Sequence, residues 1–259
     1  MTSMTMIETT RRALGPVGAF LPVSLTSAPS VDRQRDAVRR LERAGYRAAW
    51  TNETVGGKDA LVQLAVLLAA TERMVLGTGI ANIWARPAPT AHGAAAWLAQ
   101  AYPGRFVLGL GGGYPEQAAA VGRDFGRPLA TMRAYLEGMA APTQLPAPDG
   151  PYPRVVAANG PRMLALAAEI GDGAMPARRP PSFTAQARQA LGPDKLLIVL
   201  EDGTAEPGES AAVVDRVRAH RAAGADHVML GLPIGSDFGA GLDHFEQLGP
   251  ALAEAFPAG

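Results

Sequence analysis

The sequence contains no cysteine, and only two of its 24 basic residues, Lys58 and Lys195, are lysines. Disulfide bonds and thiolate chemistry are therefore excluded. The 24 basic residues balance 24 acidic residues, so the chain has no net charge to attract a nucleic acid or an anionic membrane, and neither partner is expected. Because almost every basic residue is an arginine, a single arginine is weak evidence for a specific site.

Long apolar runs are absent as well. No stretch approaches the roughly 20 residues that a membrane-spanning helix needs. The first residues, MTSMTMIETTRRAL, lack the apolar core of a signal peptide. We therefore expect a soluble cytoplasmic protein.

What the sequence does contain is a regular alternation of short apolar runs with helical patterns, which is typical of parallel strands joined by helices. The predicted strands are Val17–Leu21, Ala48–Thr51, Val75–Ile80, Phe106–Leu110, Val155–Ala158, Ala174–Pro176, Leu196–Leu200 and His227–Leu232. The predicted helices are Asp32–Ala44, Ala60–Ala70, Thr90–Gln100, Glu116–Ala120 with Thr131–Met139, Arg162–Ile170, Thr184–Leu191, Glu209–Ala223 and Leu242–Ala255.

Eight strand–helix pairs predict an α/β fold, a (β/α)8 TIM barrel. A single domain over residues 1–259 fits this fold, because such barrels have about 250 residues. An open doubly wound sheet shows the same alternation, but the strand count favours the barrel. We interpret the proline-rich segment 141–153 as a turn between the fourth helix and the fifth strand rather than as a domain linker.

Two familiar phosphate-binding motifs are excluded by single residues. The segment GLGGGY at 109–114 has Tyr114 where a dinucleotide-binding fingerprint needs its last glycine. The segment GGKD at 56–59 has Asn52 in place of the leading glycine of a P-loop and Asp59 in place of its Ser or Thr.

The four histidines show no metal-ligand spacing, and no metal site is predicted. His220 and His244 fall on predicted outer helices, where we expect solvated or locally bonded rings. The positions of His92 and His227 leave their roles open.

The remaining candidates follow predicted strands at their carboxyl ends, the face on which TIM barrels carry their active sites. Glu53 and Thr54 follow the second strand, Gly111–Gly113 follow the fourth, and Asn159–Pro161 follow the fifth. Each has an ordinary explanation, as a surface cap, a tight turn or a helix start. Together they describe a glycine-lined wall suited to a flat ring, beside a helix N-terminus suited to a phosphate.

Four longer segments carry a family resemblance: LERAGYRAAWTNE at 41–53, ATERMVLGTGIANIWARPAPTAHGAAAWLAQAYPGRFVLGLGGG at 70–113, RPLATMRAYLEGM at 127–139 and VVAANGPRMLALAAEIGDGAMP at 155–176. On these segments the chain resembles the luciferase-like monooxygenase superfamily, and within it the oxidoreductases that depend on a deazaflavin, coenzyme F-420. The LGTGI…R-P and GRFVLGLG motifs are the most specific part of the resemblance.

The resemblance implies an enzyme that transfers a hydride between a deazaflavin and a small organic substrate. It implies a non-proline cis peptide at Gly79–Ile80, behind the ring of the cofactor. Asn82 and Gly111–Gly113 are then expected to line the ring, and Asn159, Gly160 and Pro161 to approach the ribityl chain or the phosphate. FMN is the alternative cofactor, and the family suggests a homodimer.

The chain departs from the family at the end of the second strand. Many relatives have Asp-His there, whereas this chain has Glu53-Thr54. Because Thr54 does not titrate near neutrality, Glu53 is the only candidate acid or base at this position, and only if its surroundings favour the protonated form.

The chain also departs from the family after the seventh strand, where EDGTAEPGES at 201–210 is a shorter connection than relatives have. We expect the lid over the substrate to be missing. Acidic residues in this connection disfavour an anionic cofactor tail. Arg178 and Arg179 would offset them if they turn inward, and the alternative is that both are solvated surface arginines. These acidic residues are Glu201, Asp202, Glu206 and Glu209.

The missing histidine and the short connection leave a second hypothesis open. The chain is then a non-catalytic flavin-binding barrel that has lost its lid. An FMN-dependent luciferase-like monooxygenase is the other alternative.

Overall fold

The chain folds into a closed barrel of parallel strands surrounded by helices. The computed structural model describes residues 4–23, 28–143, 146, 148–205 and 209–257. The strands are β1 (Val17–Phe20), β2 (Ala48–Thr51), β3 (Val75–Thr78), β4 (Ala81–Asn82), β5 (Phe106–Gly111), β6 (Arg154–Ala157), β7 (Gly173–Met175), β8 (Leu196–Asp202) and β9 (His227–Gly231). The sheet order is β3-β2-β1-β9-β8-β7-β6-β5-β4, and pairing of β3 with β5 closes the ring. The TIM barrel expected from the sequence is confirmed.

The third position of the barrel is shared by two short strands. β3 pairs with β5 through Leu76 and Phe106, and β4 pairs with the same strand through Ala81 and Leu110. The single strand predicted over Val75–Ile80 is therefore wrong in its last two residues. The ladder stops at Thr78 and resumes at Ala81.

The helices pack around the barrel. They are α1 (Met6–Leu14), α2 (Val31–Arg43), α3 (Ala60–Leu68), α4 (Ala88–Ala101), α5 (Pro115–Ala119), α6 (Pro128–Ala140), α7 (Pro161–Ile170), α8 (Pro181–Leu191), α9 (Ser210–Ala222) and α10 (Phe238–Ala255). The described residues of segment 141–153 connect α6 to β6, and residues 144, 145 and 147 lie outside the described part. No helix in that part is long and apolar enough to cross a membrane.

Helix α1 was not predicted, and it lies outside the strand–helix alternation because it precedes the first strand. Its start is marked by a capping box, in which Thr5 and Glu8 bond to each other's backbone N–H groups. Its last residue, Leu14, is fully buried against the barrel lumen. The helix therefore lies at the amino-terminal end of the strands.

The barrel lumen holds a tryptophan and a histidine that contact each other. The indole Nε1 of Trp50 donates to Nε2 of His227 at 3.0 Å. Nδ1 of His227 lies 2.8 Å from the carbonyl oxygen of Gly15. A Cβ on Gly77 would lie 2.3 Å from the indole ring, so this position excludes every larger residue.

Candidate functional site

The carboxylate of Glu53, at the end of β2, is buried and fully engaged with donors. It accepts hydrogen bonds from the backbone N–H of Ala60 at 2.9 Å and of Asn82 at 2.9 Å. The guanidinium of Arg86 binds both of its oxygens, with Nη1 at 3.1 Å from Oε2. One side chain therefore joins the end of β2 to the start of α3 and to β4.

Arg86 is held in place by two other groups. Its Nη2 lies 2.8 Å from the carboxylate of Asp59, and its carbonyl oxygen accepts a hydrogen bond from the hydroxyl of Tyr135 at 3.1 Å. Burial opposes the positive charge, but the hydrogen bonds and charges of Glu53 and Asp59 outweigh burial and raise the pKa of Arg86. The sequence contained Arg86 in the R-P motif, but nothing in the sequence pointed to Glu53 as its partner.

This geometry favours a positioning role for Glu53 over the acid–base role expected from the sequence. An acid–base role needs a carboxylate oxygen within reach of a ligand. Glu53 instead faces a guanidinium and two backbone N–H groups, all of which bind a carboxylate. Thr54, the second predicted catalytic residue, is exposed.

Thr54 lines a cavity of about 390 Å³ between the loops that follow β1 and β2. Apolar residues, among them Leu21, Val23 and Phe238, form part of the wall. The polar residues of the cavity are Gln34, Thr51, Asn52, Thr54, Lys58 and Gln63. A volume of this size fits a small organic molecule.

The Gly79–Ile80 peptide bond is cis, as the resemblance implied. Ile80 is half-buried and packs on the apolar cluster of the lumen. A Cβ on Gly111 would lie 2.7 Å from Cγ1 of Ile80, and a Cβ on Gly79 would lie 2.9 Å from the ring of Phe20. A side chain at Gly111 would therefore displace Ile80 from the barrel mouth, and one at Gly79 would displace Phe20.

Asn82 is buried, and both ends of its side-chain amide are bonded locally. Its Nδ2 donates to Oε1 of Gln117 at 2.8 Å, and its Oδ1 accepts from the backbone N–H of Trp84 at 2.9 Å. Gly113 has a φ of 57°, and a Cβ there would collide with the Gln117 amide. Gly112 has no such neighbour, since the nearest heavy atoms to its Cβ position are 4.0 Å away.

The segment 159–161 starts helix α7 at the carboxyl ends of the strands. The side chain of Asn159 accepts a hydrogen bond from the N–H of Ala177 at 2.8 Å, which joins β6 to the end of β7. Gly160 is the N-cap of α7, no side chain caps the helix, and Pro161 is its first residue. Helix α8 likewise starts without a side-chain cap. Uncapped N-termini of this kind are suited to binding an anion.

Arg178 lies across the ends of β8 and β9. It has a φ of 50°, and its Nη2 donates to the carbonyl oxygen of Leu232 at 3.3 Å. Its Nη1 is 4.0 Å from the carboxylate of Asp202. Arg179 instead lies over the ring of Phe183, 4.7 Å from its centre. Arg178 therefore lies at the strand ends, whereas Arg179 packs on α8.

Of the acidic residues predicted in the connection after the seventh barrel strand, Glu201 lies in β8 and is hydrogen-bonded to a histidine. The carboxylate of Glu201 lies 2.7 Å from Nε2 of His220. Glu206 lies outside the described residues.

The histidines on the outer helices are bonded locally. His220 is buried between Glu201 and the hydroxyl of Thr184, and His244 bonds to the carbonyl oxygen of Gly203. His92 bonds to the hydroxyl of Tyr152 at 2.7 Å. In the part of the chain that the structure describes, no group of His, Asp and Glu is arranged to hold a metal ion.

Comparison with known proteins places these features in a family. Residues 16–192 match the sequence profile described as luciferase-like monooxygenase. The chain is 28% identical over 166 residues to the 5,10-methylenetetrahydromethanopterin reductase of Methanolobus tindarius, covering 57% of this chain and 51% of that protein. It is 27% identical over 192 residues to the F420-dependent glucose-6-phosphate dehydrogenase of Nocardia farcinica, covering 65% and 55%. The chain thus spans about half the length of the curated relatives it matches.

The fold is shared with solved structures of low sequence identity. The coenzyme F420-dependent tetrahydromethanopterin reductase from Methanopyrus kandleri superposes with a TM-score of 0.69 at 16% identity. The superposition covers 92% of this chain and 99% of that chain.

Proposed function

The chain belongs to the luciferase-like monooxygenase family, and from this premise we propose that it is an oxidoreductase that transfers a hydride between coenzyme F-420 and a small organic substrate. The observation that carries the proposal is the barrel mouth, where Ile80 lies on Gly111 and the uncapped N-terminus of α7 lies on the same face. The dependence of named relatives on the same coenzyme supports it.

The residues at the mouth fit a deazaflavin. Ile80, Val23 and Leu200 are half-buried and pack on the lumen cluster, and they offer an apolar floor to one face of a flat ring. Because Gly111 has no side chain, Ile80 can pack at this position of the apolar floor. Backbone N–H groups of the first turn of α7 would hold the phosphate, with Arg178 as a nearby cation.

When bound, the deazaflavin supplies the hydride chemistry, and the protein supplies binding and orientation. Glu53 holds β2, α3 and β4 together under the site through its bonds to Ala60, Asn82 and Arg86. Asn82 fixes the start of α5 through Gln117. We propose that the cavity beside Thr54 holds the substrate, because it opens at the same end of the barrel.

A non-catalytic flavin-binding barrel is the second candidate, and one observation favours it. Glu53 is engaged with donors and Thr54 does not titrate near neutrality, so the end of β2 offers no free acid or base. FMN is the alternative cofactor under either function, because no residue at the mouth excludes it.

Two measurements separate these candidates. Fluorescence titration with oxidised coenzyme F-420, and separately with FMN, gives the affinity for each cofactor. Turnover of the reduced cofactor with a panel of small carbonyl and imine acceptors then tests catalysis. Saturable binding of the deazaflavin with turnover supports the oxidoreductase, and binding without turnover supports the binding protein. If neither cofactor binds at micromolar concentration, both functions are wrong.

We also propose that the protein forms a homodimer. Val62 on α3 and Trp97 on α4 are 64% and 68% exposed, and they offer apolar surface on neighbouring helices. Light scattering of the purified protein tests this, and a Trp97→Arg variant should be monomeric if α4 forms the interface. The cytoplasmic location and the single-domain organisation of residues 1–259 stay predictions.

A further inference from the structure

A second cavity, of about 490 Å³, lies at the end of the barrel opposite the proposed cofactor site. It is bordered by the segments that enter β1, β2 and β9 at their amino ends and by helix α1. Four of its lining residues are arginines, and they come from three distant parts of the chain. The lining consists of Arg11, Arg12, Arg47 and Arg221 together with Gly15, Pro16 and Asp226.

Asp226 is the one carboxylate in this lining, and it is already neutralised. It accepts from Nε of Arg11 at 2.7 Å, from Nη2 of Arg188 at 2.7 Å and from the N–H of Leu197 at 2.8 Å. The nearby carboxylate of Glu8, on α1, bonds to Thr5. The cavity therefore has an excess of positive charge in a chain whose total charge is zero.

The arginines of the cavity keep unused donors. Within the described part of the chain, Arg47 and Arg221 each donate one hydrogen bond, Arg47 to the carbonyl oxygen of Arg12 at 2.8 Å and Arg221 to that of Ala225. A guanidinium has five N–H donors. Most of these donors are thus free to bind an oxyanion, which guanidinium groups do in a bidentate manner.

Like-charge repulsion is already present among these side chains. Burial and the positive charges of Arg11 and Arg188 lower the pKa of Arg221, against the opposing effect of Asp226. A bound anion would reverse this repulsion, because it places negative charge between the guanidinium groups.

We propose that this cavity binds a compact polyanion, a small molecule with two or more phosphate or carboxylate charges. The lining contains no aromatic side chain on which a nucleobase could stack. The arginines therefore recognise only the charged groups of the ligand. The ligand would link helix α1 to the segments that precede β2 and β9. The first strand, β1, pairs with the last strand, β9. Binding beside this pair would stabilise the closed barrel.

Thermal unfolding with inorganic pyrophosphate tests the proposal, with potassium chloride at equal ionic strength as the reference. We expect pyrophosphate at 100 times its Kd to raise Tm by about 5 °C or more. Calorimetric titration should give a stoichiometry of one, and citrate in place of pyrophosphate shows whether carboxylates suffice. The double variant Arg47→Gln/Arg221→Gln should lose at least tenfold in affinity and therefore about half or more of the Tm shift at the same pyrophosphate concentration.

Two matched variants keep the test specific. Arg47→Lys/Arg221→Lys keeps the charge and should retain part of the binding. Arg133→Gln, which removes an exposed arginine of α6 paired with Glu169, should bind as the wild type does. If the double glutamine variant fails to fold, the exposed Arg12→Gln variant replaces it, and it should weaken binding several-fold.

The proposal is overturned by either of two results. Pyrophosphate that shifts Tm no more than potassium chloride shows that the cavity binds no polyanion. A shift of undiminished size in both the double glutamine and the Arg12→Gln variants places the bound anion elsewhere, such as at the N-terminus of α7, where it would support the proposed phosphate site. The first result leaves the proposed cofactor site unaffected, because the cavity and that site lie at opposite ends of the barrel.

Discussion

Trp50 donates its indole N–H to Nε2 of His227 inside the barrel, and this bond determines which ring nitrogen of the histidine carries the proton. Tryptophan is only a donor, so Nε2 must be the acceptor. Nδ1 then carries the hydrogen and donates it to the carbonyl oxygen of Gly15. A protonated ring would lose the bond to Trp50, and the side chain is fully buried from solvent.

The first prediction concerns pH. Burial lowers the pKa of His227 from 6.5 to about 4, with smaller opposing effects from Gly15 and Asp226 and a further lowering by Arg221. The unfolded chain therefore binds more protons than the folded chain between these values, and stability falls as the pH falls from about 6.5 toward 4. The expected slope is about 1.4 kcal/mol per pH unit at most. Urea unfolding of wild type and His227→Gln across this range measures it. If the free energies of unfolding of the two proteins change in parallel with pH, His227 has the same pKa in the folded and the unfolded chain.

The second prediction concerns the buried pair of Glu53 and Arg86, whose side chains are 2% and 9% exposed. Arg86→Met leaves the carboxylate of Glu53 buried without its cation and should destabilise the fold by about 3–5 kcal/mol. Arg133→Met breaks the exposed pair with Glu169 and should cost less than about 1 kcal/mol. Denaturant unfolding compares the two. Equal losses would mean that Glu53 does not depend on Arg86.

The third prediction separates two adjacent glycines. Gly111→Ala forces Ile80 out of position and should destabilise the fold by about 1–3 kcal/mol and weaken cofactor binding several-fold. Gly112→Ala meets no atom closer than 4.0 Å and should change stability by about 0.5 kcal/mol or less. Chemical unfolding and cofactor titration of both variants provide the comparison. A normal affinity in Gly111→Ala would remove Ile80 from the proposed site.

The fourth prediction concerns Gly160, where one substitution should preserve the stability of the fold and weaken cofactor binding. A Cβ at Gly160 meets no neighbour, so Gly160→Asp should cap α7 and leave Tm unchanged or slightly higher. The new carboxylate would occupy the N–H groups and repel a phosphate, and cofactor affinity should fall about tenfold or more. Gly160→Asn adds the cap without the charge and should bind more tightly than Gly160→Asp. Equal affinities of wild type and Gly160→Asp would move the phosphate away from α7.

Much of the fold could be predicted from the sequence because the signals for it are local. The period of apolar residues identified every barrel strand except the short β4, and eight strand–helix repeats pointed to a TIM barrel. Parallel strands bring their carboxyl ends to one face of the barrel. Glu53, Gly111 and Asn159 could therefore be assigned to the same end of the barrel from the sequence alone. The cis bond at Gly79–Ile80 followed from the family resemblance.

The roles of these residues depended on the tertiary structure. Glu53 as an acid or base was an inference from its position, and its partner Arg86 lies 33 residues away along the chain. Glycines 111 and 112 look alike in the sequence, yet only Gly111 faces Ile80. Periodicity is a property of neighbouring residues and can be read from the sequence. Ion pairs, close contacts and the arginines gathered from positions 11, 47 and 221 depend on distances between residues far apart in the chain, which only the closed barrel determines.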